Sequence, residues 1–129
     1  MAGLKRWALG MASKASNGVV TERQVGDAAV LGVEGNIITG DNAAALRDII
    51  RRLLAEGRNK ILLDVSSVRW IDSAGLGTLA ASMASAAREG GQIKLLKARG
   101  SVKDLLSATR LDTVFATYDE ESEAINDFL

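Results

Sequence analysis

Two stretches rich in β-branched and small apolar residues, Val19–Val25 and Ala28–Glu34, flank Gly26-Asp27. A two-residue turn of that type predicts a β-hairpin. Gly35–Asn42 reads as a loop, with Asp41 or Asn42 as the N-cap of a first helix. Leu46, Ile49, Ile50, Leu53 and Leu54 then recur at helical spacing and form one apolar stripe. Asp48 stands four residues before Arg52 on the opposite, wet face, and Gly57 ends the helix. Lys60–Val65 contains the continuous run Ile61-Leu62-Leu63, the pattern of a strand buried on both faces. A second helix is expected over Ser73–Glu89, its inner stripe formed by Leu76, Leu79, Ala80, Met83, Ala84 and Ala87, with Gly90-Gly91 as its stop. Gln92–Lys97 predicts another strand, with Ile93 and Leu95 on one side and Leu96 on the other. Ser101-Val-Lys-Asp104 resembles a capping box opening a short helix to about Thr109. Thr113–Thr117 is read as the last strand. Asp119, Glu120 and Glu121 place acid in the first turn of a final helix that docks through Ile125, Phe128 and Leu129.

The order ββαβαβαβα predicts an α/β domain with a five-stranded, mostly parallel sheet and right-handed crossovers. Three loops should meet beyond the carboxyl ends of its strands: Gly35–Asn42, Asp64–Asp72 and Ala98–Ser101. Residues 19–129 form this domain. Residues 1–18, with Lys5, Arg6 and Lys14 and no acid, read as a mobile basic arm.

Composition narrows the chemistry. Sixteen basic and sixteen acidic side chains cancel, so no general attraction to nucleic acid or a membrane surface is expected. The 129 residues include no cysteine and no histidine. That removes disulfides, thiolate nucleophiles, most zinc sites and every imidazole-based triad, and a reducing, cytoplasmic setting is the expectation. No apolar run approaches the roughly 20 residues needed to span a bilayer.

Candidate chemistry concentrates in Asp72-Ser73-Ala74-Gly75-Leu76-Gly77, between the apolar strand and the long helix. Unpaired N–H groups and the helix dipole favour negative charge there. Two readings of this helix start stand side by side. Asp72 or Ser73 simply caps the helix, as such residues commonly do, or Ser73 accepts a phosphate, which brings nearly two charges and three acceptor oxygens. Asp64 reads as a turn-capping aspartate rather than a magnesium ligand, since no companion acids cluster at other strand ends. Ser73 has neither a histidine nor a lysine three residues on to act as its base, and no phosphate loop occurs, so no catalytic residue, metal or cofactor is assigned. Arg51-Arg52 is read as a solvated helix face.

The Asp72–Gly77 motif, with Gly35 in the strand–helix loop and Gly90-Gly91 before the next strand, resembles the signature of the STAS family. That family comprises anti-sigma factor antagonists and the cytoplasmic domains of sulfate transporters. The resemblance covers residues 19–129. It implies a βα superhelix with about four helices largely on one face of the sheet. It also implies that Ser73 matches the serine phosphorylated by an anti-sigma factor that is an ATP-dependent kinase. In that scheme the unphosphorylated protein binds the kinase and frees a sigma factor, the phosphorylated protein lets go, and a phosphatase restores it. The partner surface implied is Thr39, Gly40, Asp41, Asp72, Ser73, Ala74, Gly75, Leu76, Gly77, Thr78 and an outward Ser82. Ile38 departs from the family, which often has aspartate there. This departure motivates an alternative, a non-switching STAS subunit of a larger assembly such as a lipid-transport complex, a sensory particle or a transporter regulator.

Overall fold

A computed structural model describes residues 13–15, 18–37 and 42–128. Most of the expected basic arm, together with Ile38, Thr39, Gly40, Asp41 and Leu129, lies outside the described residues. The strands are β1 (Ser13–Ala15), β2 (Gly18–Val25), β3 (Ala28–Glu34), β4 (Lys60–Ser67), β5 (Gln92–Leu96) and β6 (Thr117–Tyr118). The helices are α1 (Asn42–Ala55), α2 (Ser73–Arg88), α3 (Gly100–Ala108) and α4 (Glu121–Asn126).

Strands follow one another across the sheet in sequence order, β1-β2-β3-β4-β5-β6. β1, β2 and β3 pair antiparallel, whereas β3 through β6 pair parallel. Each β-α-β crossover therefore steps one strand in the same direction, and right-handed crossovers of that kind set α1, α2 and α3 on one face. The core agrees with this. Ala29, Leu31 and Val33 of β3, Ile61, Leu63 and Val65 of β4, and Ile93 and Leu95 of β5 join Leu46, Ile50, Leu53, Leu76, Leu79 and Leu106 in one buried cluster. The alternate residues Ala28, Val30, Leu62 and Leu96 pack on the other face against Ala124 of α4 and Phe128 just beyond it. The five expected strands and four helices are present, with most helices on one face. Burying each large aliphatic of this core stabilises the fold by about 1.5–3 kcal/mol.

Several local expectations change. Ser13–Ala15, inside the segment read as a mobile arm, forms β1 against β2. The last strand is Thr117–Tyr118 rather than Thr113–Thr117, because Leu111–Thr113 winds into a single 3-10 turn that buries Phe115 against the core. The Ser101–Asp104 capping box does not form; the Ser101 hydroxyl donates instead to the carbonyl of Arg69. Arg52 ignores Asp48 and pairs with Glu22 and Glu56. Glu22 is fully buried on β2, clamped by Arg52 and by Arg58 at 3.1 Å. On the opposite face, the buried Lys94 ammonium donates to the Ala124 carbonyl at 3.3 Å and lies 4.3 Å from the Phe128 ring centroid.

The inner stripe of α2 is also rotated from the expected one. Gly75, Leu76, Leu79, Ser82 and Ala86 are buried, whereas Ala84 and Ala87 are exposed. α1 packs along α2 as well as on the sheet, so the buried arc of α2 turns toward α1. Ser82 is consequently not outward. It is 6 % exposed, at the bottom of the furrow between the two helices.

Candidate functional site

The strand ends bring their loops together through the backbone. Ile37, just after β3, forms a parallel bridge with Ile71, and its N–H donates to the Trp70 carbonyl at 3.0 Å. The Asp72 N–H reaches the Ile37 carbonyl at 3.4 Å. From the other side, Ser101 at the start of α3 fixes the Arg69 carbonyl. Segments from the three expected loops thus meet at one rim, with residues 69–73 in the middle.

Asp72 is the N-cap of α2. Its extended backbone (φ −96°, ψ 175°) lets Oδ1 accept the Gly75 N–H at 2.7 Å, and its carbonyl receives the Leu76 N–H at 2.9 Å. Of the two candidate caps, Asp72 and Ser73, the structure uses Asp72. Ser73 is the first residue of the helix and is exposed. The N–H groups of Ser73 and Ala74 have no acceptor among the described residues. A hydroxyl in this position faces solvent beside two open donors at the positive end of a four-turn helix, a setting that suits an added anion. The Asp72 carboxylate beside it opposes negative charge.

Gly75 has a structural reason to be glycine. A β-carbon there would sit 2.0 Å from the Ile37 carbonyl oxygen, so only glycine lets the helix start lie against that backbone. Gly77 is different, since nothing lies within 4 Å of a β-carbon at that position.

The expected site residues therefore divide. Asp72, Ser73, Ala74 and Gly77 are exposed and Thr78 is half-buried, its hydroxyl donating to the Ala74 carbonyl at 3.1 Å. Leu76, at 4 % exposure, belongs to the core, and Gly75 is buried against Ile37, so neither presents a side chain outward. Ala74, Gly77, Thr78 and Ser82 line one furrow between α1 and α2. Thr39, Gly40 and Asp41 lie outside the described residues. Asp64 lies within β4 rather than at a turn, and its Oδ1 accepts the Ser66 N–H at 3.0 Å. Among the described residues no cluster of acids suited to a metal ion occurs, and no helix is long and apolar enough to cross a membrane.

Trp70 is the residue that sequence reasoning passed over. Its neighbours Val68 and Ile71 are buried and its carbonyl is bonded, yet Trp70 itself is 63 % exposed, three residues before Ser73. Arg69 beside it and Arg99, the residue preceding α3, are exposed on the same rim. An aromatic side chain next to a helix start, unlike its neighbours in lacking a core-facing position, was the available signal.

A STAS domain model matches residues 20–124. A Thermotoga neapolitana protein, provisionally named an anti-sigma factor antagonist, is 37% identical over 79 residues, covering 61% of this chain and 70% of that protein. The crystal structure of a Thermotoga maritima protein, provisionally named the same way, superposes with a TM-score of 0.77 at 30% identity, covering 83% of this chain and 92% of the other. The Bacillus cell-fate determinant SpoIIAA in its phosphorylated form superposes with a TM-score of 0.66 at 18% identity, over 83% of this chain and 96% of that one, which establishes likeness of fold. The family model spans β2 through α4, including the rim around Ser73, and the chain belongs to the STAS domain family.

Proposed function

We propose that this protein is an anti-sigma factor antagonist, switched by phosphorylation of Ser73. The observation that carries the reading is the division of labour at the start of α2. Asp72 performs the capping, which leaves an exposed Ser73 hydroxyl beside two open backbone donors. Relatives named as anti-sigma factor antagonists, and a fold neighbour solved in a phosphorylated form, support it. The unphosphorylated protein binds an anti-sigma factor that is an ATP-dependent serine kinase and so releases a sigma factor. Phosphate on Ser73 ends that contact, and a phosphatase restores it. The contact surface includes Asp72, Ser73, Ala74, Gly77 and Thr78, with Thr39, Gly40 and Asp41 from the neighbouring loop. Trp70 belongs to it as an exposed aromatic on the same rim.

No group in this mechanism does chemistry on a substrate of the protein's own. The serine oxygen attacks the terminal phosphorus of ATP in the partner's active site, the bond from that phosphorus to the bridging oxygen breaks and ADP leaves, and the base that takes the serine proton comes from the partner. This chain supplies position. The hydroxyl is held at a fixed point by a capped helix whose Gly75 is locked against Ile37.

The test is to incubate the protein with ATP and the kinase-type anti-sigma factors of the same genome, then measure intact mass. A gain of one phosphate that disappears in Ser73→Ala is the expected result. Ile38, where the family often has aspartate, favours a second reading, a non-switching subunit of a larger assembly. Absence of phosphate with every such kinase supports that reading instead.

A further inference from the structure

The arginine pair of α1 is not simply a solvated face. Arg52 turns to the buried Glu22, while Arg51 points the other way and has no ion pair among the described residues. With Arg47, one turn earlier, it lines a groove of about 370 Å³ between α1 and α2. Leu54 and Ala81 supply its accessible apolar side chains over the buried Ile50, its α2 wall carries Thr78 and Ser82, and among the described residues no acid lines it. On α2 the lining runs from Ala74, adjacent to Ser73, to Ser85, roughly three helical turns. Two helices leaving a furrow of that length present the ridges into which a third helix packs.

We propose that this groove seats an acidic, amphipathic helix of the anti-sigma factor, with its apolar stripe on Leu54 and Ala81 and its carboxylates on Arg47 and Arg51. The proposal rests on the reading of Ser73 given above and extends it. Charge complementarity selects the occupant: among the described residues the lining carries two cations, Arg51 without an ion pair and Arg47 with only Asp48 at 3.5 Å beside it, and no anion, which favours an acidic helix over a basic one. The groove also supplies a sign for the switch. Ser73 adjoins Ala74 at the groove mouth, their Cα atoms ~3.8 Å apart. A dianion on its hydroxyl therefore sits beside that mouth and opposes the carboxylates that the arginines attract, an effect that salt screens over a Debye length of ~8 Å.

The experiment titrates the kinase that phosphorylates Ser73 against the wild-type chain, Arg51→Glu, Arg47→Glu, Ser73→Glu and a charge-matched control, Lys60→Glu. Lys60 begins β4, at the end of the strand remote from Ser73. Arg51 is exposed, so its reversal leaves the fold intact, and the thermal melt checks this. Each groove reversal is expected to weaken binding about tenfold or more and to flatten its salt dependence. Lys60→Glu should stay within about twofold of wild type. Replacing an acid of the docked kinase helix by lysine should rescue Arg51→Glu. If both groove reversals bind like wild type while Ser73→Glu is impaired, the groove is refuted and the switch stands. If Ser73→Glu binds like wild type while the groove reversals are impaired, the switch fails and the docking surface remains. Failure of the wild-type chain to bind any kinase-type anti-sigma factor overturns both.

Discussion

Replacing Gly75 by alanine tests how the helix start is held. The added β-carbon would lie 2.0 Å from the Ile37 oxygen and 2.9 Å from its carbonyl carbon. Carbon and carbonyl oxygen do not approach within about 3 Å, so one backbone must move by about 1 Å. The obstacle is main chain, bonded on both sides through the Ile37–Ile71 bridge and the Trp70 carbonyl, and no side-chain rotation relieves it. Overpacking of this kind costs about 1–3 kcal/mol, and a backbone obstacle belongs at the upper end. Alanine returns up to about 1 kcal/mol of helix propensity. The net loss is therefore about 2 kcal/mol, or roughly 7 °C in melting temperature for a domain of this size. Gly77→Ala is the internal comparison. It sits two residues on in the same helix with open space around it, so it should stabilise by about 0.5–1 kcal/mol. Urea unfolding of both variants decides the matter. A Gly75→Ala protein as stable as wild type, or a Gly77→Ala protein that loses as much, would refute the close approach at Ile37.

Other consequences are equally open to measurement. Glu22→Gln leaves Arg52 and Arg58 facing a neutral, buried amide and should cost about 2–3 kcal/mol in urea unfolding, less than a fully buried pair because both arginines reach solvent. Burial lowers the Lys94 ammonium pKa against the opposing pull of Asp127. Below its lowered folded value, protonation adds no pH dependence. Between that value and the ordinary 10.5 the unfolded chain binds more protons, so stability attributable to Lys94 rises with pH. The stability gap between wild type and Lys94→Met should accordingly shift in favour of wild type as pH climbs toward 10.5, and an unchanging gap contradicts this. Trp70→Ala should alter the melting temperature by less than about 2 °C, since the indole packs on little, while weakening anti-sigma factor binding about tenfold or more. Equal affinity of this variant and wild type would remove Trp70 from the contact surface.

Much of the architecture was legible because local patterns and tertiary packing agree. The continuous Ile61-Leu62-Leu63 run announced a strand covered on both faces, and β3 spans the residues its pattern indicated. Glycines marked helix ends where positive φ is needed, as at Gly57 and Gly90. The rest was fixed by partners that a single sequence does not reveal. Ser82 is buried because α1 lies over that side of α2, and helical periodicity cannot say which flank of a stripe a neighbour will cover. Nothing local in the sequence marks Glu22 and Lys94 as buried, since Arg52 and Arg58, or Phe128 and Tyr118, arrive from 24 to 36 residues away to enclose them. Ser101 had a plausible local partner in Asp104 but found Arg69 across the rim. At the candidate site, sequence located the helix start and Ser73. The structure separated the roles of Asp72, Gly75 and Leu76, which cap, pack and bury, from those of the residues left facing outward.

The most direct test compares one partner's affinity for two forms of this protein, unmodified and stoichiometrically phosphorylated on Ser73, by calorimetric titration of the kinase-type anti-sigma factor. The account predicts that the unmodified form binds at least tenfold more tightly, with Ser73→Ala behaving like the unmodified form. Equal affinities for the two forms would contradict it.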